Sequence, residues 1–213
     1  MLYQTDCVWE DMTQKRSTEQ YMGARLLHYA LFSECGDVKN PVLERESGGK
    51  PYLRDYPHIA YNLTHTTERI YLYLRQGAEG EVLSVGVDAE PLRKIKNLPA
   101  LAKKVLSTEE RSFYEACEPS QRDELFLRFW TLKESFLKAI GWGIRLPLSS
   151  VSFSFEKDGS IVCKQELSER EWHFLQFQDA NTLLSICESS PVPLDAARHI
   201  VRCGFESQNF YLR

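Results

Sequence analysis

No run of apolar residues in this chain approaches the roughly 18 that a membrane-spanning helix requires. The first dozen positions lack the apolar stretch of a secretory leader, because Asp6, Glu10 and Asp11 fall where it would lie. There is no surplus of basic charge: 26 Lys and Arg stand against 30 Asp and Glu. A protein whose main partner is nucleic acid must neutralise phosphates, so that class is not expected. The six cysteines (Cys7, Cys35, Cys117, Cys163, Cys187 and Cys203) form no CxxC and are too scattered for a zinc site or a small disulfide scaffold. They read as reduced core residues of a cytoplasmic protein. A P-loop, local repeats and low-complexity segments are also missing.

What remains is an ordinary globular composition. Of 213 residues, 43% are hydrophobic and 26% charged, enough to bury a core without staples. Strand and helix patterns alternate along the whole length. A strand is expected over 2–9 and a helix over 17–33, capped by Ser17, with Tyr21, Ala24, Leu27/His28 and Leu31 at helical spacing. Residues 36–50 read as a loop ending in the turn Gly48–Pro51. A strand over His58–Leu63, closed by Thr64-His65-Thr66, precedes another over 69–75. Val82–Ala89 is apolar at nearly every position, as a strand buried on both faces would be.

Helices follow over 99–106, 108–117 and 121–140. Ser107 and Glu110 form a capping box, and Gly141-Trp142-Gly143 stops the third helix. Strands are expected over 151–155, 172–177 and 182–187, and Pro191 and Pro193 open a tail. The order β–α–β–β, then β–α–β–β–β, suggests an α+β protein of two similar α/β halves joined near 76–82, with units 1–78 and 79–213.

Asp88 and Glu90 lie two apart on a strand, so both carboxylates point to one face. Such a pair repels itself, and a hard cation such as Mg²⁺ relieves the repulsion, although a solvated strand end has the same sequence. On the third helix Phe126, Phe129, Leu132, Phe136 and Ile140 make a core stripe. Trp130, Glu134 and Lys138 make a separate row, readable as a surface ion pair or as the wall of a cleft. Asn62-Leu63-Thr64-His65-Thr66 and Gly49-Lys50-Pro51 are turns or phosphate contacts. Residues 91–104 carry Arg93, Lys94, Lys96, Lys103 and Lys104 and no acid, which points to an acidic partner or simply to a solvated face.

Taken together, these residues resemble the 4′-phosphopantetheinyl transferase superfamily, in its larger, surfactin-activating type. Val85–Glu90 matches the family's (I/V)G(I/V)D(I/V)E strand, and Trp130–Lys138 matches W-(S/T)-x-K-E-(A/S)-x-x-K, with Glu134 44 positions after Glu90. Gly49–Pro51, Asn62–Thr66 and Ser107–Glu110 match further segments in the same order. Ala89 departs from the pattern on the side away from the carboxylates, and Thr64 and Thr66 replace serines.

The resemblance implies an enzyme that moves the 4′-phosphopantetheine arm of coenzyme A to a serine of an apo acyl or peptidyl carrier protein, releasing 3′,5′-ADP. It implies a pseudodimer with coenzyme A between the halves, and a monomer in solution. Asp88, Glu90 and Glu134 would hold Mg²⁺, with Mn²⁺ as an alternative. Glu134 would be the base, Glu110 would position water, and Lys138 would serve the leaving phosphate. Lys50, Thr64, His65 and Lys133 would contact coenzyme A, as would Arg16 and Arg25. The acidic carrier would dock near Arg93, Lys94, Lys96, Lys103 and Lys104. Three other readings stay open on sequence alone: an inactive coenzyme A-binding module, an unrelated Mg²⁺-dependent phosphoryl hydrolase, and an interaction protein without an active site.

Overall fold

Two sheets of the same internal order organise the chain. The computed structural model describes residues 1–7, 15–36, 38–142, 146–197 and 199–204, with side chains for all but 15–17, 194 and 195. The first half runs β1 (Leu2–Asp6), α1 (Lys15–Cys35), β2 (Leu43–Arg45), β3 (Pro51–Leu53), β4 (Ile59–His65) and β5 (Arg69–Gln76). The second runs β6 (Val85–Pro91), α2 (Leu98–Val105), α3 (Thr108–Ala116), α4 (Arg122–Ile140), β7 (Ser152–Phe155), β8 (Ile161–Lys164), β9 (His173–Asp179) and β10 (Thr182–Glu188). In each half the first strand pairs with the last, and the last with the one before it: β1-β5-β4 and β6-β10-β9. A short hairpin, β2–β3 or β7–β8, precedes the final two strands of each half. A last strand, β11 (Ile200–Cys203), returns from the second half and pairs parallel to β1.

Three apolar clusters stack these parts into layers. One joins α1 to the first sheet through Leu26, Leu27, Ala30, Leu31, Ile70, Leu72 and Leu74. A second lies between the sheets, from Tyr71 and Tyr73 on one side to Val85, Val87, Ala89, Leu184 and Ile186 on the other. A third packs Phe126, Phe129, Leu132 and Phe136 of α4 against α2, α3 and the second sheet. This layering is why Val85–Ala89 is apolar at nearly every position. Val85, Val87 and Ala89 face the first sheet, and the intervening residues face α4. Ala89 is buried in the inter-sheet cluster, so its departure from the family pattern affects packing. Glu188, fully buried, accepts hydrogen bonds from the Tyr73 hydroxyl and Arg75 Nε, both at 2.7 Å, and ties β10 to β5.

The helix ends follow their sequence signals. Ser107 Oγ accepts from the Glu110 amide while the Glu110 carboxylate accepts from the Ser107 amide, completing the capping box of α3. Gly141 ends α4 in the left-handed region at φ 74°, which a residue with a Cβ rarely adopts.

Several expectations need correction. Of the positions expected on the buried face of α1, Leu27 and Leu31 are buried, together with Leu26 and Ala30, whereas Tyr21, Ala24 and His28 are exposed, because the apolar pattern is broad enough to allow two phases. The strand expected at His58–Leu63 continues through Thr64 and His65, whose partners on β5 are Tyr71 and Ile70. The strand expected from Val82 begins at Val85 and runs to Pro91, held by its ladder with β10. Hairpin strand β2 falls in a segment read as loop, and β8 and β11 were unexpected; each has only three or four residues, too few for periodicity to register. Part of the expected strand 2–9, the Ser17 side chain and Gly143 lie outside the described residues.

Candidate active site

β6 forms one edge of the second sheet and β4 one edge of the first, and the two edges face each other without a backbone ladder among the described residues. α4 lies against the same stretch of β6. It can do so because residue 86 is glycine: a methyl group there would overlap the Ser135 carbonyl oxygen of the helix. Gly86 therefore sets the helix-to-strand separation that lets Glu134 and Lys138 face Asp88. Sequence reading included Gly86 in the motif but assigned it no role.

At this three-way junction Lys138 Nζ donates to Asp88 Oδ1 at 2.6 Å, to Thr64 Oγ1 at 3.0 Å and to the Val87 carbonyl at 3.1 Å. Thr64 in turn donates to Asp88 Oδ1 at 3.2 Å. The second oxygen, Asp88 Oδ2, is buried and takes no hydrogen bond among the described residues. Burial raises the Glu134 carboxyl above its ordinary value, and the nearby charges of Asp88 and Glu90 add to this against the pull of Lys138. Glu90 is raised for the same first reason and by Asp88, and is held back by Arg93 at 3.2 Å.

Three carboxylates thus sense one another across one strand and one helix. Among the described residues they do not stand as a closed ligand set of three. The all-oxygen donor set and the orphaned, buried Asp88 Oδ2 nevertheless suit a hard divalent cation. A third cation-seeking feature is that Glu90 and Glu134, raised first by burial, are raised further by the Asp88 charge.

Other predicted site residues lie elsewhere. Glu110 and Lys133 form an ion pair at 2.7 Å with both side chains 0% exposed. Glu110 also accepts from the amides of Ser107 and Phe153, each at 2.8 Å, and Lys133 donates to the Leu148 and Val151 carbonyls. All their polar atoms are engaged inside the fold, which leaves none of them turned toward the Asp88 junction, where Glu110 was expected to act on water and Lys133 on phosphate. Two charges so deeply buried survive because each meets its opposite and several backbone groups.

Lys50 Nζ donates to Ser84 Oγ and to the Ala139 carbonyl, both at 2.6 Å, at the C-terminal end of α4. Burial lowers its amine to about 8. It borders a small cavity of about 130 Å³ between the β3 turn and the 82–84 linker. His65 is exposed on the opposite face of β4 from Thr64 and sits 3.6 Å from Glu19 of α1. The Arg25 guanidinium lies over the Tyr21 ring, 5.5 Å from its centroid. The Arg16 side chain is outside the described residues. The structure therefore brings Thr64, Asp88 and Lys138 into contact, with Glu90 and Glu134 within electrostatic reach, and leaves Lys50, His65 and Arg25 apart from them.

In the basic stretch, Arg93 is engaged by Glu90 and Lys94 by Asp123 at 2.9 Å. Lys96, Lys103 and Lys104 are exposed. Trp130 packs against Phe126, ring centroids 6.0 Å apart, as part of the α4 core. A larger cavity of about 760 Å³ runs along β8 and β9 and is lined by none of the predicted site residues.

A sequence profile of the 4′-phosphopantetheinyl transferase superfamily matches residues 84–187. The chain is 32% identical over 188 residues to the 4′-phosphopantetheinyl transferase AcpT of Escherichia coli K12, covering 88% of this chain and 84% of that protein. It is 30% identical over 146 residues to a 4′-phosphopantetheinyl transferase of Bacillus subtilis, covering 67% of this chain and 61% of that one. The match thus spans under two thirds of the Bacillus relative's length. Among solved structures, a holo-(acyl-carrier-protein) synthase from Bacillus anthracis, in complex with CoA (3′,5′-ADP), is 19% identical with a TM-score of 0.45, over 49% of this chain and 93% of the other.

Proposed function

The chain belongs to the 4′-phosphopantetheinyl transferase superfamily, in the larger, Sfp-like type, and from that premise we propose that it transfers the 4′-phosphopantetheine arm of coenzyme A to a serine of an apo carrier protein. The observation that carries this reading is the β4–β6–α4 junction. Asp88 is bound at one oxygen by Thr64 and Lys138 and leaves its buried second oxygen unpartnered among the described residues, beside two carboxyls raised by burial and then by its charge.

The reaction forms a bond from the carrier serine oxygen to the phosphorus of the phosphopantetheine arm. It breaks that phosphorus's bond to the bridging oxygen, which leaves on 3′,5′-ADP. Positioning and charge neutralisation supply most of such catalysis. Glu134, whose carboxylate is made more basic by burial, takes the serine proton. Lys138 turns from Asp88 toward the developing charge on the leaving oxygen. Asp88, Glu90 and Glu134 would hold Mg²⁺, or Mn²⁺, which when bound neutralises pyrophosphate oxygens. Thr64 orients Asp88 by its hydroxyl.

The same proposal takes residues 1–78 and 79–213 as halves of a monomeric pseudodimer. The recurrence of sheet order in β1-β5-β4 and β6-β10-β9 supports it, with β11 crossing back as a strap. Lys96, Lys103 and Lys104 offer free positive charge for an acidic carrier, and Arg93 and Lys94 join them to the extent that their carboxylate partners release them. Lys50 and His65 would meet the more distant groups of coenzyme A. All six cysteines are free, which fits a cytoplasmic protein.

The test is the intact mass of an apo carrier domain incubated with this protein, coenzyme A and Mg²⁺, beside Glu134→Gln and EDTA samples. Gain of one phosphopantetheinyl unit, lost in both controls, is the expected result. Several apo carriers left unmodified by a folded, coenzyme A-binding protein would overturn the proposal in favour of a binding module.

A further inference from the structure

Asn62 lies on the motif strand β4 but takes no part in the chemistry above. It is buried, and its Oδ1 accepts the Val87 amide at 2.9 Å. Val87 directly precedes Asp88, and its carbonyl is taken by Lys138 at 3.1 Å. Both main-chain groups of Val87 therefore face the open edge of β6, and side chains rather than a neighbouring strand satisfy them. No ladder joins β4 to β6 among the described residues, so their relative position rests on side chains. Asn62 and Thr64 are two apart and project from the same face of β4. One holds the main chain of β6 at Val87 and the other holds the side chain of the next residue, Asp88.

We propose that Asn62 is a positioning residue. Its amide replaces a missing ladder bond and fixes β6 along the seam, so that Asp88 meets Thr64 and Lys138 and keeps its free oxygen turned to the ligand side. The catalytic consequence rests on the transferase reading; the seam itself does not. The ladder with β10 fixes which residues of β6 face the site, and the anchor at Val87 fixes where Asp88 stands along the seam relative to Thr64. Removing the acceptor also strands a buried amide.

The experiment compares wild type, Asn62→Ala, Asn62→Asp (which keeps an acceptor oxygen) and Leu63→Ala, a change on the same strand that faces α1. Amide exchange at Val87 and Asp88 is followed by NMR, and Mn²⁺ affinity is measured without coenzyme A. Both kcat and KM are measured for transfer. Asn62→Ala is expected to accelerate Val87 exchange about tenfold over amides of β5. Mn²⁺ affinity should weaken by about tenfold, as when an outer partner of a metal ligand is lost. The loss in transfer should fall in kcat, with KM for coenzyme A nearly unchanged. Asn62→Asp should retain Val87 protection, and Leu63→Ala should lower the melting temperature while leaving Val87 exchange and Mn²⁺ affinity as in wild type. Wild-type exchange and Mn²⁺ affinity in Asn62→Ala would overturn the proposal, as would equal losses in Leu63→Ala. If wild type itself neither binds Mn²⁺ nor transfers, the functional reading fails alone, and the exchange comparison still decides the role of Asn62 at the seam.

Discussion

Lys138 Nζ lies 2.6 Å from Asp88 Oδ1 and occupies the carboxylate that a divalent cation would share. The lysine comes from α4 and the aspartate from β6, 50 residues earlier. The ammonium is thus an internal counter-ion of Asp88. It is partly exposed, so its pairing carries modest stability; its value is in placement.

Lys138→Met should separate these roles. The free protein is expected to bind Mn²⁺ more tightly than wild type, since Asp88 loses its competitor. Transfer should nevertheless fall by about a hundredfold, the usual cost of removing one charge-stabilising donor. Calorimetric titration of Mn²⁺ beside a carrier-modification time course checks both directions. Weaker Mn²⁺ binding would show that Lys138 orients Asp88 instead of competing for it.

The raised carboxyls of Glu134 and Glu90 set a pH dependence. A carboxyl whose folded value lies above its unfolded one favours the fold while protonated. That contribution is complete below the ordinary glutamate value, about 4.3, and is lost as pH rises through the raised values. A cation replaces the lost protons, so the gain in melting temperature on adding Mn²⁺ should grow with pH across this window. Glu188 is raised as well, by burial first, which is why the comparison is made with and without Mn²⁺ at each pH. In Glu134→Gln the metal-free protein should be no less stable than wild type, and transfer should be lost. A metal-induced gain independent of pH would refute the coupling.

Breaking the Glu110–Lys133 pair should affect folding, not chemistry. With both side chains 0% exposed, Lys133→Met leaves an uncompensated buried carboxylate, at a cost of about 3–5 kcal/mol. Urea titration should show that loss. At a temperature where the variant remains folded, turnover per folded molecule should stay within a few-fold of wild type. A folded but inactive Lys133→Met would return Lys133 to the active site.

Lys50 titrates within working range, its amine lowered by burial to about 8. A lysine whose folded value is depressed is costly to the fold while charged. Stability should therefore rise as pH climbs from about 8 toward the ordinary lysine value near 10.4. If Lys50 also holds an anionic group of coenzyme A, KM for coenzyme A should increase over the same interval in wild type and be flat in Lys50→Met. Initial rates measured across that interval for both proteins decide the matter.

Some residues were legible because their pattern is local. The capping box at Ser107 and Glu110, the helix stop at Gly141 and the core stripe of α4 each depend on neighbours within a turn or two. The paired carboxylates Asp88 and Glu90 were legible for the same reason, since alternation along one strand places them on one side. The placement of Lys133 was not legible: it stands in the same motif as Glu134, yet one position on a helix turns a side chain by about 100° and directs it into the α3–β7 core. Tyr21 and His28 on α1 were misread where the apolar pattern allowed two phases.

The amino-acid sequence by itself determined the α+β class, most helix bounds, the family motifs and the strand and helix that carry the acidic groups. These follow from short-range rules of spacing, capping and charge. Only the tertiary structure decided that Thr64, Asp88 and Lys138 meet, that Glu110 and Lys133 are sealed away, and that β11 returns to β1. Those relations join residues 24, 50 and 23 positions apart or farther, across edges that no ladder connects or through a strand too short to announce itself. Side-chain anchors such as Asn62 on Val87, and a bare backbone at Gly86, fix them in place.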